Sequence, residues 1–255
     1  MAYLTCKIVN SKNMLRCIVL ISFLLNVFCG YIIIYKTDVC QKIIYKLGLG
    51  ENPAMVNKRK IEFRCIQGWE NTLRKMNVNA DIVFFGNSIT FESNFQEVFP
   101  ELEIVNMGCN KDMIDDLINR AYMIKSVHPK KIFVLGGINN FNATPLDIFK
   151  IKYETLVDSI KIYNPEAIVY LQSLLPINPQ KGVGTIYVDC VNKIKCANEI
   201  IENICRNKNC TYIDLFSAYQ VNDTLPQKYT RDGLHLYPKY YEIWADVIKP
   251  FVSDI

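Results

Sequence analysis

The stretch Asp81-Ile82-Val83-Phe84-Phe85-Gly86-Asn87-Ser88-Ile89-Thr90 decides how the chain is read. Ile82–Phe85 is a short run of strand-forming residues without polar alternation, as expected of a strand buried on both faces. It passes without a linker into Gly86-Asn87-Ser88. A glycine and then a serine at the end of a buried strand lift a hydroxyl off the sheet edge. The start of a following helix then aims backbone N–H groups at an anion. Taken alone, such a turn is more commonly a serine capping the next helix.

Working outward, similar apolar runs recur at Ile104–Asn106, Lys131–Leu135, Ala167–Leu171 and Thr211–Asp214. Amphipathic stretches lie between them. Asp112 is placed to cap a helix over Met113–Ile124. Thr144-Pro145 reads as cap and first position of a helix reaching about Tyr163. Further helices are expected over about Tyr187–Lys208 and from Pro238 to Pro250. Strand–helix alternation predicts an α/β fold, a parallel sheet of about five strands with helices on both faces. In such sheets ligands bind outside the carboxyl ends of the strands.

Three motifs fall on that edge. The first strand ends at Ser88, the second at Asn106-Met107-Gly108, and the third at Gly136-Gly137-Ile138-Asn139-Asn140. Glycine permits close backbone approach, and an asparagine amide is a neutral donor suited to a developing oxyanion. Each also reads as ordinary turn chemistry. There are two histidines. His128 precedes the third strand, which puts it on the amino edge, away from Ser88, in a structural role. His235 lies in Asp232-Gly233-Leu234-His235. Asp232 can fold back through Gly233 to bond the imidazole Nδ1–H, leaving Nε2 to take a serine proton. The competing reading is a surface Asp-Gly turn with an incidental histidine. The loop Pro176–Ile186 is expected to form a rim, with Gly182 and Gly184 giving it mobility.

Together these blocks resemble the GDSL/SGNH hydrolases, a family named for Ser, Gly, Asn and His in four separated blocks. Here they stand as Ser88 in GNSIT, Gly108 in NMG, Asn139 in GGINN and His235 in DGLHL. The resemblance covers about Asp81 to Val252. It implies a three-layer, flavodoxin-like fold, a triad of Ser88, His235 and Asp232, and neither metal nor organic cofactor. It also implies an oxyanion hole from the backbone N–H of Ser88 and Gly108 with the side chain of Asn139. The ending DGLHL…Tyr240-Tyr241…Trp244 resembles small acetyl-ester and carbohydrate-ester hydrolases. The chain departs from the family pattern at Asn87 and Asn140, where aspartate is usual, and at Tyr237-Pro238-Lys239-Tyr240 after the histidine. The implied activity is hydrolysis of a small acyl ester, an acetyl on a glycan or small molecule. The enzyme alternative is a lipid acyl hydrolase. The alternative from another class is an idle glycan-binding module, against which the intact triad argues.

The N-terminus is of another kind. Cys17–Tyr35 (CIVLISFLLNVFCGYIIIY) is uncharged over nineteen positions, close to the about 20 helical residues that span a bilayer. Lys7, Lys12 and Arg16 precede it without an acidic residue, which leans toward N-terminus inside and domain outside the cytoplasm. A cleaved signal peptide is the rival reading and a core helix the third. The expected organisation is a tail over 1–16, a transmembrane anchor over 17–35, a stalk and helical lead-in over 36–80, and a hydrolase domain over 81–255. Lys58-Arg59-Lys60 reads as a solvated helix face. With 29 basic against 25 acidic side chains and no basic stripe, no nucleic-acid partner is indicated. The ten cysteines include no CxxC pair, and two histidines give a zinc site little to work with. Cys205 and Cys210 flank a turn and are candidates for a disulfide outside the cytoplasm.

Overall fold

A computed structural model describes Ser22 and residues 71–72, 74–75, 78–141 and 144–253. The tail, nearly all of the expected anchor and stalk, the Lys58–Lys60 cluster, and Cys6, Cys17, Cys29, Cys40 and Cys65 lie outside the described residues. Among those described, no helix is long and apolar enough to cross a membrane.

The five apolar runs are strands: β1 Ile82–Gly86, β2 Ile104–Gly108, β3 Lys131–Leu135, β4 Ile168–Gln172 and β5 Thr211–Ile213. All pair in parallel, in the order β2-β1-β3-β4-β5. This is the flavodoxin-like order, in which the chain reverses direction between β1 and β3 and opens a crevice at their carboxyl ends. Residues in β1 and β3 are buried throughout, which explains their unbroken apolar character. The helices are α1 Ser88–Phe91, α2 Phe95–Val98, α3 Ile114–Arg120, α4 Leu146–Tyr163, α5 Val191–Lys208, α6 Phe216–Tyr219 and α7 Tyr241–Val252.

Alternate side chains of a strand face opposite ways, and the two faces of the sheet are filled differently. On one, Phe84, Phe133 and Tyr170 are in register and stack, with ring centroids 5.2 and 4.5 Å apart. Phe95 of α2 and Trp244 and Phe251 of α7 close over this row. Trp244 Nε1–H donates to the buried Gln172 Oε1 at 2.6 Å. On the other face α3, α4 and α5 pack in sequence. The apolar stripe of α4, Phe149, Tyr153, Leu156, Val157 and Ile160, is buried, as the 3.6-residue period requires.

Four helix expectations are corrected. The run from Met113 is α-helical only to Arg120 and continues as a 3-10 helix over Ala121–Val127. Arg120 itself leaves helical geometry (φ −115°, ψ 4°). Asp112 does not cap this helix, because its carboxylate is bound to Arg120. Residues Gly182–Cys190 are 3-10, with Tyr187 off helical geometry, so α5 begins at Val191. Pro145 rather than Thr144 is the N-cap residue of α4. Pro238–Tyr240 is a short 3-10 turn ahead of α7, which runs past Pro250 to Val252.

Candidate active site

The serine side is built on the sheet. A Cβ on Gly86 would lie 2.2 Å from the Leu135 carbonyl oxygen and 2.3 Å from Thr90 Oγ1, so only glycine lets β1 turn over the end of β3. Asn87 follows as the helix cap. Its N–H donates to the Leu135 oxygen, and its Oδ1 accepts from the Ile89 N–H at 3.1 Å. Asn87 therefore does what the sequence allowed Ser88 to do, and the Ser88 hydroxyl is left for another partner. As the first residue of α1, Ser88 has an N–H with no intrahelical acceptor. Tyr241 Oη–H donates to the Ile89 carbonyl at 2.8 Å, tying α1 to α7.

The histidine side is a loop that folds on itself. Thr230 pairs with Leu236 in an isolated antiparallel bridge. Thr230 Oγ1–H donates to the His235 carbonyl, and the same oxygen accepts from the Gly233 N–H at 2.9 Å. Gly233 has φ +87°, in the region that favours glycine. The turn brings Asp232 back on His235. Oδ1 accepts from the Leu234 and His235 N–H groups, and Oδ2 lies 2.7 Å from His235 Nδ1. His235 Nε2 lies 2.9 Å from Ser88 Oγ. Burial alone would raise the Asp232 carboxyl, but the imidazole hydrogen bond and the two N–H donors outweigh it and hold it below its ordinary value. A charged Asp232 fixes the proton on Nδ1, so Nε2 faces the serine as an acceptor.

Gly182 and Gly184 serve contact rather than mobility. The Gly184 N–H donates to the Asp232 carbonyl, and the Asn178 N–H to that of Gly233. A Cβ on Gly184 would lie 2.0 Å from the Asn178 oxygen and 3.0 Å from that of Gly233. The loop is thus laid backbone to backbone on the turn that carries Asp232. Arg231 reaches across to Glu92 at 2.5 Å, joining this loop to the end of α1. A groove of about 530 Å³ beside Glu92 is lined by apolar Phe95, Val98, Tyr241 and Ala245 as well as by Asn94, Lys239, Glu242 and Asp246, and neither Ser88 nor His235 lines it.

The three predicted oxyanion donors differ in their present engagements. The Ser88 N–H has no acceptor among the described residues. Asn139 Nδ2 spends one hydrogen on the Asp112 carbonyl at 2.9 Å, leaving the other. The Gly108 N–H donates to Asn106 Oδ1 at 2.8 Å, and Asn106 is itself held through Nδ2 by the Thr90 and Ser93 carbonyls. A Cβ on Gly108 would lie 2.2 Å from the Phe91 nitrogen, so this glycine lets α1 rest directly on β2. The neighbour Asn140 is fully buried, and its Oδ1 accepts from the Ile114 N–H at the start of α3. Nδ2 of Asn87 and of Asn140 has no partner in the interior. Aspartate at either site would keep the acceptor and remove the orphaned donor.

His128 is exposed, three residues ahead of β3, at the amino edge. Cys205 and Cys210 are free thiols. The Cys210 N–H donates to the Cys205 carbonyl across the turn, and burial pushes the Cys205 thiol up to about 12. Among the described residues no cluster of three His, Cys, Asp or Glu could hold a metal.

Sequence reasoning missed Arg120. Its guanidinium is buried, with Nε–H donating to Asp112 Oδ2 at 2.6 Å and the terminal nitrogens to the Met107 and Gly86 carbonyls at 2.8 Å. It also lies 4.2 Å over the Phe85 ring. The signal was present: Arg120 follows Leu117 by one helical turn on the buried stripe of α3, a place where a charge needs a buried partner.

The GDSL-like lipase/acylhydrolase family model matches residues 84–243, more than half of the chain. Among solved structures, a GDSL-like lipase from Bacteroides thetaiotaomicron superposes with a TM-score of 0.59 at 22% identity, covering 67% of this chain and 86% of its own. A lipase/acylhydrolase from Enterococcus faecalis gives 0.56 at 19% identity, covering 67% and 94%. An acetyl-xylooligosaccharide esterase from Geobacillus gives 0.55 at 17% identity, covering 70% and 96%. No curated protein matches the sequence. The chain belongs to the GDSL-like lipase/acylhydrolase family and is an ester hydrolase.

Proposed function

We propose that this ester hydrolase removes a small acyl group, an acetyl, from a glycan ester, with Ser88 as nucleophile, His235 as base and Asp232 as its orienting carboxylate. The observation that carries the reading is the continuous line from Asp232 Oδ2 through His235 to Ser88 Oγ, with spacings of 2.7 and 2.9 Å. In the first step Ser88 Oγ attacks the ester carbonyl while His235 Nε2 takes its proton. The negative charge on the former carbonyl oxygen is met by the Ser88 N–H and the second hydrogen of Asn139 Nδ2. The Gly108 N–H joins them by sharing the hydrogen now given to Asn106. Collapse of the intermediate expels the alcohol, which takes the proton from His235. Water then repeats the sequence on the acyl-serine and releases the acid. Asp232 stays charged throughout and stabilises the transient imidazolium.

The acetyl and glycan assignment draws on a structural neighbour. The Geobacillus neighbour, similar in fold, is an acetyl-xylooligosaccharide esterase. Cys17–Tyr35 is proposed to anchor the enzyme in the membrane with the hydrolase domain outside the cytoplasm. Deleting residues 1–35 should then move activity from the membrane to the soluble fraction.

The test is a panel of aryl esters from acetyl to long acyl, run beside fluorophosphonate labelling. Fastest turnover on acetate, with label confined to Ser88, is expected. Preference for long chains would turn the reading to a lipid acyl hydrolase. Absence of both turnover and label would leave a binding module.

A further inference from the structure

We propose that Arg120, together with Asp112, is a positioning residue that holds the oxyanion donors in register. The inference rests on the reading of Ser88, Asn139 and Gly108 as those donors. The guanidinium binds two backbone carbonyls and one carboxylate, and each leads to one donor. The Gly86 carbonyl ends β1 two residues before Ser88. The Met107 carbonyl belongs to the residue before Gly108. Asp112 takes the third N–H on its carboxylate, and its own carbonyl receives Asn139 Nδ2. The Gly86 oxygen also accepts from the Cys109 N–H at 2.9 Å, so the ends of β1 and β2 are tied twice.

Only a planar fork can make these contacts at once. Lysine has one nitrogen and cannot span two strand ends and a carboxylate. Stability alone is a weak reason to keep such a pair, because a buried ion pair is often matched or bettered by packed apolar side chains. Holding donors at fixed places ahead of reaction is what an apolar pair could not do.

The experiment uses the full-length protein with Arg120→Lys, and separately Arg120→Met combined with Asp112→Leu, which replaces the pair by apolar volume. Folding is checked by circular dichroism and thermal melting. For the folded protein, kcat on an aryl acetate should fall about 10- to 100-fold, as for small misplacements of reacting groups. KM should change little, and Ser88 should label more slowly with a fluorophosphonate. Asn139→Ala added to Arg120→Lys should cost far less than Asn139→Ala alone, since both act through one interaction. Unchanged kcat in either folded variant, or additive losses, would overturn the proposal. So would failure of both to fold, which would make the pair a stability element only. A silent Asn139→Ala would instead sink the oxyanion reading. A selective Asn139→Ala beside a silent Arg120→Lys would sink the positioning role alone.

Discussion

Ser88 and His235 stand 2.9 Å apart yet are held by different kinds of structure. Ser88 sits where β1 meets α1, fixed by contacts distant in sequence: Leu135 on β3, Tyr241 on α7 and Arg120 beneath. His235 is fixed mainly by its own neighbours. Asp232, Gly233 and Thr230, all within five residues, set its ring and backbone. The proposed nucleophile is carried by the end of a sheet. The proposed base is set by a self-contained turn docked beside it. Damage to the first side should spread through the core, whereas damage to the second should remain local.

The sharpest break in that comparison is at Asp232. Asp232→Asn should keep the turn but permit the wrong imidazole tautomer, lowering kcat by about 10⁴ with a modestly lower melting temperature at neutral pH. The carboxyl lies below its ordinary value in the folded protein. Its stabilising effect is therefore present above the unfolded carboxylate range and lost as pH falls through the folded value. Melting temperatures of wild type and Asp232→Asn should accordingly converge in acid below about pH 4. Persistence of the full difference there would show that the carboxylate is not held this way.

Next comes Asn139→Ala, which should lower kcat by about 10²–10³ with KM little changed. Asn140→Ala, which removes the acceptor of the Ile114 N–H, should lower melting temperature more than kcat. Comparable kcat losses in both would erase the distinction between donor and helix cap. Gly184→Ala tests the docking of the histidine loop, since its Cβ must displace the Asn178 backbone. A kcat loss of about 10- to 100-fold is expected, and full activity would show the contact to be incidental. A small effect is expected of Glu92→Gln, which weakens a half-exposed bridge to Arg231. Such pairs contribute roughly 0–1 kcal/mol, so chemical denaturation should detect little. His128→Ala, at the far edge, should leave kcat unaltered.

Legibility in the sequence followed the same divide. The strands were readable because burial on both faces leaves an unbroken apolar run, and Lys131–Leu135 is bounded in the structure as the sequence predicts. The Asp232–His235 pairing was readable because it is local: three residues and a glycine contain the whole turn. Arg120 was not, since its partners lie at positions 86, 107 and 112 on elements whose meeting only the fold defines. The loop glycines misled for the same reason. Gly182 and Gly184 look mobile in a polar stretch, and only the packed backbone of Asn178, Asp232 and Gly233 shows that they are there for closeness. Helix boundaries slipped where side chains were recruited elsewhere, as with Asp112.

The separation of 147 residues between Ser88 and His235 also sets an order in time. During synthesis at about 5–20 residues per second, the serine precedes the histidine by roughly 7–30 s. For that interval β1, β2 and β3 can assemble around a hydroxyl that has no base beside it, and an unassisted serine is a poor nucleophile. The proposed proton acceptor comes into place only once residues 230–236 have been made and the Thr230–Leu236 bridge can close.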